Sequence, residues 1–287
     1  MIIMSKRILK ISLITFLFII VLCIYNVVNA NEIDSVNIVI EITEDGIAHV
    51  QEEWQATLDE GSELKHSFNN LGKSQIINFK VKDEHDNEFT LDNNWNSNLD
   101  LESKKNKCGM KSTASGVDLF WGIGEYASNA YFLEYDITNF VVDLPDGNQM
   151  INFEFFQKNR EEIRHVGINI LSSEILFKDI AEVWGYGYDN GLCQINAIGE
   201  IYFSSLGKLE PQESVQIIAR FDSGSFPNVT TKLDHNFDFY YREIFGGEDI
   251  LVGNKKVVLL ILICIFTGLI IFIILLAISN GKKPNKK

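Results

Sequence analysis

"VNIVIEITEDGIAHVQEEW", residues 36–54, gives the clearest indication of the fold of this chain. Apolar and polar residues alternate on both sides of Glu44-Asp45-Gly46, and alternation over several residues predicts a half-buried β-strand. An Asp-Gly pair between two such runs predicts a hairpin turn, because glycine adopts positive φ at little cost. We therefore predict a hairpin formed by residues 36–43 and 47–54.

Six further segments repeat this pattern and are rich in Ile, Val, Phe and Tyr: residues 74–82, 129–137, 149–156, 164–171, 200–205 and 214–221. Strands at this spacing favour packed antiparallel sheets over a parallel sheet covered by helices. The expected fold is mainly β. It is an antiparallel β-sandwich-type extracellular domain at residues 31–233, built as one large or two small sandwiches. The polar stretch 83–116 interrupts the pattern and is predicted to be rich in loops.

The first 30 residues have the pattern of a secretory signal peptide. A basic start at Lys6, Arg7 and Lys10 precedes an apolar run (11–24) and a small-residue cleavage pattern that ends at Ala30. These three parts in this order are typical of a cleaved signal. An uncleaved signal anchor is the alternative.

A transmembrane helix is predicted at residues 255–279. Its central 22 residues, 257–278, carry no charge. At 1.5 Å per residue they span about 33 Å, enough to cross a bilayer core of about 30 Å. A cleaved signal places the preceding domain outside the cell, and the basic tail at 280–287 then lies in the cytoplasm, in agreement with the positive-inside rule. We expect a single-pass protein of the cell membrane, with the membrane as one partner.

Residues 234–254 are predicted to form a juxtamembrane helix and linker. Aromatic and aliphatic residues between Phe237 and Phe245 recur at helical spacing. Asp234 is a candidate cap for the start of the helix, and Gly246-Gly247 a candidate end. We expect the helix to pack on the sheets rather than lie on a bilayer, because its charges are mixed.

Charge separates the predicted extracellular part from the two ends of the chain. All 39 acidic residues lie between Glu32 and Asp249, and residues 31–254 contain 16 basic residues, which gives a net charge of −23. A surface this acidic repels phosphate backbones. Nucleic acid is therefore excluded as a partner.

Two cysteines, Cys108 and Cys193, lie in the predicted extracellular domain. Outside the cell a disulfide between them is chemically permitted. Two buried free thiols are the alternative, because the sequence does not give the distance between the two Cα atoms. The pair is a candidate disulfide.

Two stretches contain Trp-Gly-x-Gly: "FWGIGEY" (120–126) and "VWGYGYDNGLC" (183–193). Their flanking residues diverge at once, so they are not a duplicated module. A dinucleotide-binding loop needs a helix directly after its glycines. The alternating segment 129–137 follows the first stretch instead, so we expect neither a nucleotide nor any other cofactor.

The second stretch is interpreted as a strand. Trp184, Tyr186 and Tyr188 alternate with glycines, which places the three rings on one side of a regular strand. Such an aromatic stripe is usually core. If it were exposed instead, it would be a stacking platform for sugars or peptides, so the three residues are weak candidates for binding.

Catalytic and metal-binding patterns are missing from the sequence. It contains no HExxH, G-x-S-x-G or CxxC, and its five histidines lack ligand spacing. The acidic loop 83–88 lacks the spacing of a dedicated calcium loop. Nothing selects a carboxylate pair for glycoside chemistry among the 39 acids. We therefore assign no catalytic and no metal-binding residue.

Several motifs together resemble a family of bacterial membrane proteins catalogued as domain of unknown function 2207. They are "DGIAHVQEEW" (45–54), "YFLEYDI" (131–137), "NFEFF" (152–156) before "IRHVGINI" (163–170), and "EIYFSSLGKLEPQESVQIIARFDSGSF" (200–226). The resemblance covers most of residues 32–248 and implies a β-rich extracellular domain at a membrane. Relatives tend to carry a Trp-containing stretch where "FEFF" stands, and longer ones continue into further membrane and cytoplasmic segments. It implies no catalytic residue.

The sequence favours a membrane-anchored protein of the bacterial cell envelope whose extracellular β-domain is a non-catalytic binding or interaction module. Its partner would be an unidentified protein or cell-envelope component. One alternative is a cell-envelope hydrolase whose carboxylates converge only in the fold. The other is a structural subunit of a membrane complex.

Overall fold

The computed structural model describes residues 31–246. The predicted signal peptide (1–30), transmembrane helix (255–279) and basic tail (280–287) lie outside these residues. Within the described part, no helix is long and apolar enough to cross a bilayer. The described chain is mainly β and contains several sheets, as the sequence predicts.

The largest sheet has seven strands. In spatial order they are β13 (Gly191–Ile195), β14 (Ile201–Ser205), β11 (Val166–Leu171), β1 (Glu32–Ile42), β2 (Ala48–Thr57), β8 (Ser128–Thr138) and β4 (Gln75–Asp83).

Two smaller sheets have four strands each. The second sheet consists of β12 (Ala181–Tyr186), β15 (Val215–Phe221), β10 (Gln149–Phe156) and β9 (Val142–Asp143). The third consists of β3 (Glu63–Asn69), β7 (Gly116–Gly122), β6 (Lys107–Ser112) and β5 (Thr90–Leu91). A short helix α1 (Leu101–Lys104), a 3₁₀ turn (Phe177–Asp179) and a helix α2 (Phe237–Phe245) complete the elements.

The predicted hairpin is confirmed at the centre of the large sheet. β1 and β2 pair antiparallel over the whole length of β1, from Glu32 to Ile42. In the turn, the N–H of Gly46 donates to the carbonyl of Thr43 at 2.9 Å. Gly46 has a φ of 76°, which a residue with a side chain adopts only under strain.

The sheets are not purely antiparallel, which corrects the sequence prediction. β1 pairs with β11 in parallel, and β5 pairs with β6 in parallel. Parallel neighbours need a long connection. The chain between β1 and β11 builds most of the other strands before it returns, and this excursion lets β11 run in the same direction as β1.

The predicted loop region at 83–116 holds more structure than expected. It contains β5, α1 and β6, and β7 begins at its end. Its polar composition hid these strands because β6 is held by pairing with β7 rather than by an apolar stripe of its own. Tertiary pairing outweighs local propensity here.

The three sheets share one buried apolar cluster. The alternation seen in the sequence is realised in β1, where Val36, Ile38, Ile40 and Ile42 are all buried. They join Phe153 of the second sheet and other side chains of the third in the same cluster. Each large aliphatic side chain buried in this way contributes about 1.5–3 kcal/mol.

Helix α2 is confirmed in place, with one correction. The side chain of Asn236, not of Asp234, caps its start and accepts from the N–H of Phe239 at 3.2 Å. Gly246 ends it in the left-handed conformation, as predicted. The buried Phe237 and its neighbours pack with Ile218 of the second sheet, so the helix lies on the sheets.

Candidate functional site

A cleft of about 1110 Å³ opens where the three sheets meet. One wall is the edge strand β3. The opposite wall is the end of β10 with the following segment, residues 157–161. Small-molecule sites usually measure about 300–1,000 Å³, so this cleft has room for an extended ligand.

Trp54 of β2 holds the three sheets together at the floor of the cleft. Its ring lies 5.2 Å from that of Trp121 in the third sheet and 6.4 Å from that of Phe156 in the second. Edge-to-face and tilted contacts of this kind contribute about 0.5–1.5 kcal/mol each beyond the buried area. The floor is therefore a surface of packed aromatic rings from all three sheets.

A buried carboxylate, Glu52, lies beside Trp54. Its Oε2 accepts from the indole N–H of Trp54 at 2.6 Å and from Nδ1 of His66 at 3.1 Å. Its Oε1 accepts from the hydroxyl of Tyr135. Only 2% of Glu52 and 4% of His66 is exposed, so this is a charged group inside the core with all its oxygens hydrogen-bonded.

The hydrogen bonds of His66 fix its protonation. Its Nε2 lies 2.8 Å from the carbonyl oxygen of Phe155, which only accepts, so Nε2 carries a proton. An ionised Glu52 also only accepts, so Nδ1 carries a proton too. His66 and Glu52 therefore form a buried imidazolium–carboxylate pair that ties β3 to β2 and β10.

The pair sets the electrostatics of the floor. Burial raises the pKa of Glu52, but the charge of His66 and the hydrogen bonds from His66, Tyr135 and Trp54 outweigh it and hold that pKa below its ordinary value. Burial, with the charge of Glu52, raises the pKa of Tyr135 well above its ordinary value. The carboxylate of Glu52 is thus ionised, and both of its oxygens already have hydrogen-bond partners.

A second ion pair supports the cleft wall at the start of β3. The Nζ of Lys104 lies 2.8 Å from Oε2 of Glu63, and the indole N–H of Trp95 donates to the same oxygen at 2.8 Å. Burial raises the pKa of Glu63, but the hydrogen bond from Lys104 leads the contributions that hold it below its ordinary value. Glu63 is therefore an ionised anchor.

The opposite wall is held by Arg160. Its guanidinium donates to the carbonyls of Leu209, at 3.2 Å, and Glu210, at 3.0 Å. Burial lowers its pKa to about 10, so the group stays charged at neutral pH. These bonds fix the segment that follows β10 against the loop before β15.

Two buried donors on this wall lack an acceptor among the described residues. They are the Nε–H of Arg160 and the side-chain N–H₂ of Gln157. Both residues line the cleft. A buried donor left unpaired costs about 1–3 kcal/mol, so these groups lower the stability of this wall.

The aromatic residues singled out in the sequence lie elsewhere and do not share one face. Trp184 is half-buried under α2, its ring 5.4 Å from those of Phe237 and Tyr241. Tyr186 is exposed, with its ring 5.4 Å from that of Phe245.

Tyr188, in contrast, is buried and belongs to the main core. The prediction of a single stripe is wrong because Gly187 has a φ of 91°, which breaks the alternation at the end of β12. Trp184 and Tyr186 remain on the outer side, where α2 covers part of Trp184 and leaves Tyr186 exposed beside Phe245.

Cys108 and Cys193 are free thiols in the structure and belong to different sheets. The candidate disulfide is therefore not present in it. Both sulfurs lie in apolar surroundings, and burial raises the pKa of Cys108 to about 11 and that of Cys193 to about 12.

The acidic loop 83–88 is organised by its own hydrogen bonds. Asp83 accepts from the backbone N–H groups of His85 and Asn87 at 2.9 Å, and Lys82 pairs with Asp86 at 2.9 Å. Among residues 31–246, no group of three or more His, Cys, Asp or Glu side chains is arranged to hold a metal ion.

Sequence reasoning missed the two residues at the centre of the site. Glu52 stands between Val50 and Trp54 on the buried face of β2, and His66 stands between Leu64 and Phe68 on the buried face of β3. A charged residue at an inward position of an alternating strand is the signal that identifies them. Nothing in the sequence showed that the two meet.

No protein-family model matches the sequence, and no curated protein sequence is significantly similar to it. Partial similarity to solved structures is found. A candidate nutrient-binding protein of Legionella pneumophila is 12% identical, with 66% of each chain covered and a TM-score of 0.42. The leukotriene A4 hydrolase of Saccharomyces cerevisiae is 9% identical over 66% of this chain and 29% of that chain, with a TM-score of 0.39.

An M1 zinc metallopeptidase of Deinococcus radiodurans is 7% identical over 67% of this chain and 42% of that chain, with a TM-score of 0.32. The chain spans about two thirds of the Legionella protein and less than half of the two hydrolases. Similarity at these TM-scores identifies neither a fold family nor a function.

Proposed function

We propose that this chain is a non-catalytic binding module of the bacterial cell envelope, and that the cleft along β3 is its ligand site. The cleft itself carries the proposal, because a rigid concave surface with convergent polar groups is the usual form of a binding site. The charged floor, the ion pair at Glu63 and the bonds of Arg160 all serve to fix its shape.

The charge of the cleft supports the same proposal. Four lining residues are basic, namely Lys65, Lys111, Lys158 and Arg160, and three are acidic. The surrounding domain has more than twice as many acidic as basic residues. A locally basic cleft on an acidic protein favours a ligand with negative or acceptor groups.

The carboxylates of the cleft do not favour the alternative of a hydrolase. A glycosidase needs one carboxylic acid with a raised pKa and a second carboxylate facing it. Glu63 has a lowered pKa through Lys104, and Asp118 lies 3.9 Å from the ammonium of Lys65. Both groups act as anchors for lysines.

The proposed location in the cell is supported by the predicted signal peptide at residues 1–30 and the predicted transmembrane helix at residues 255–279. We propose a single-pass membrane protein with its β-domain outside and its basic tail inside, related to the domain of unknown function 2207. The shared buried cluster favours one sandwich-type unit rather than two, since all three sheets contribute to it. Protease treatment of intact cells should remove residues 31–254 and spare the tail; a protected domain contradicts this orientation.

Site-specific photo-crosslinking tests the binding proposal. Benzoylphenylalanine replaces Ser115, which lines the cleft, or Gln55, which is exposed on β2 and does not line it. In cells that produce the chain, a discrete crosslinked species is expected from position 115 alone. Lys111→Glu reverses an exposed charge and should lower the yield of the crosslinked species. The proposal is contradicted if positions 115 and 55 give equal crosslinking and if Lys111→Glu does not change the yield.

A further inference from the structure

Strand β3 is an edge strand on the side of the cleft. Among residues 31–246 it pairs with β7 alone, and its other edge faces the cleft. An edge strand presents unpaired backbone N–H and C=O groups, which are a template for another strand. Natural proteins usually cover or disrupt such an edge.

The register shows which backbone groups are unpaired. The N–H of Ile123 donates to the carbonyl of Ser62, and the N–H of Asn70 donates to the carbonyl of Ser115. The β3–β7 register continues both pairs without a shift. Hydrogen-bonded pairs alternate in an antiparallel ladder, so the even-numbered residues of β3 bond to β7.

The odd-numbered residues therefore direct their backbone groups into the cleft. For Lys65 and Ser67 these are two N–H and two C=O groups, spaced as one side of a ladder. Both residues line the cleft. The even-numbered side chains, Leu64, His66 and Phe68, are buried, so β3 is fixed from below while this edge stays open.

The opposite wall offers further donors. Gln157 and Arg160 line the same cleft, and the Gln157 carbonyl oxygen accepts from the side chain of Asn69 at the end of β3. The rim adds the ammonium groups of Lys111 and Lys158. A strand with carboxylate side chains would pair with the edge of β3 and with these ammonium groups together.

We propose that the cleft binds an extended peptide segment with carboxylate side chains, which adds to the outer edge of β3 as an extra strand. This inference rests on the proposed function and names the ligand class of the same cleft. Backbone hydrogen bonds to Lys65 and Ser67 supply affinity, and the cationic rim selects acidic segments.

Substitution at Ser67 separates this mode from other binding in the cleft. Ser67→Pro removes the N–H that points into the cleft and leaves the bonds from β3 to β7, since proline is tolerated on the open side of edge strands. Ser67→Ala keeps that N–H and is the matched control. The probes are blocked octapeptides, (Val-Glu)₄ and (Val-Lys)₄, titrated by calorimetry into the full chain in detergent.

The full chain should bind (Val-Glu)₄ at least about tenfold more tightly than (Val-Lys)₄, because the rim is cationic. Ser67→Pro should weaken binding of (Val-Glu)₄ by about tenfold, and Ser67→Ala by less than about twofold. Thermal unfolding should show that both variants remain folded. Strand addition is overturned if folded Ser67→Pro and Ser67→Ala weaken the binding of (Val-Glu)₄ equally. It is also overturned if the full chain does not bind (Val-Glu)₄.

Ser115→Trp distinguishes this failure from a failure of the proposed function. The bulky ring narrows the cleft from an exposed loop. If Ser115→Trp abolishes (Val-Glu)₄ binding while Ser67→Pro does not, the cleft is the site and strand addition is wrong. If binding survives Ser115→Trp, the cleft is not the site. If a glycerol-phosphate oligomer of equal charge binds more tightly than (Val-Glu)₄, the ligand of the cleft is a polyanion and not a peptide. That result overturns this inference but leaves the proposed function intact.

Discussion

The imidazole of His66 lies 3.1 Å from the carboxylate of Glu52, and both groups are almost wholly excluded from solvent. The two residues come from different sheets, and a third sheet provides the carbonyl that accepts from the other nitrogen of the ring. Because each polar atom of the pair has a partner, the pair acts as a joint between sheets. His66 lines the cleft.

Removal of one member of this pair should be costly. Glu52→Ala leaves a buried imidazolium without its counter-charge, and breaking a buried pair in this way costs about 3–5 kcal/mol. Glu53→Ala is the control, since Glu53 is the next residue on the more exposed face of β2 and should change stability by less than about 0.5 kcal/mol. Urea unfolding measures both. A loss below about 1 kcal/mol for Glu52→Ala contradicts the assignment of a buried charge pair.

Acid should weaken the fold through Glu52. The pKa of Glu52 is lower in the folded chain than in the unfolded chain, where it has its ordinary value of about 4.3. The stability that this group contributes is therefore fully present above that value and is lost as the pH falls through the folded pKa.

Unfolding free energies measured between about pH 6 and pH 3 should fall more steeply in the wild-type chain than in the double variant Glu52→Gln/His66→Gln, in which neither member of the pair can ionise. The comparison isolates the pair, because Glu63 and Asp136, whose pKa values are also lowered, remain in both proteins. Identical slopes would show that the pair binds protons equally well in the folded and unfolded chains.

The two thiols of the described chain should be present but unreactive. With pKa values of about 11 and about 12, Cys108 and Cys193 carry little thiolate at pH 8. Iodoacetamide should label neither in the native protein and both after unfolding in urea without reductant, as read by peptide mass spectrometry. Absence of labelling after unfolding would reveal a disulfide, and rapid labelling of the native protein would show that the thiols are exposed.

The tryptophans of the two Trp-Gly-x-Gly stretches should differ in their contribution to stability. Trp121 is fully buried among Trp54 and Tyr131, so Trp121→Ala should cost about 3–5 kcal/mol. Trp184 is half-buried under α2, so Trp184→Ala should cost about 0.5–3 kcal/mol and should loosen that helix. Thermal and urea unfolding compare the two variants. A larger loss for Trp184 would contradict the placement of α2 as a surface element.

The sequence predicted the strands that carry their own alternating pattern, and missed the structure that depends on distant partners. The 36–54 hairpin needed no tertiary information, because its apolar positions and its Asp-Gly turn agree. β6 and β3 were missed, because their pairing with β7 determines their strand conformation more than their own composition does. Gly187 broke the expected aromatic stripe, and a positive φ is not visible in an alternating pattern.

The candidate site could not be predicted from the sequence for the same reason. Glu52 and His66 each occupy an inward position on an alternating strand, which marks both as unusual. Their contact spans two sheets, and no local pattern gives the relative position of sheets. The open edge of β3 likewise follows only from the strand order.

Amide hydrogen exchange along β3, resolved by residue in the full chain, shows whether the outer edge of this strand is open and binds a peptide. An alternating pattern is expected: slow exchange at Leu64, His66 and Phe68, whose N–H groups bond to β7, and fast exchange at Lys65 and Ser67, whose N–H groups face the cleft. Addition of (Val-Glu)₄ should slow Lys65 and Ser67 and leave the even-numbered residues unchanged. Uniform protection along β3 without peptide, or fast exchange at Lys65 and Ser67 that a saturating peptide does not slow, would contradict the account.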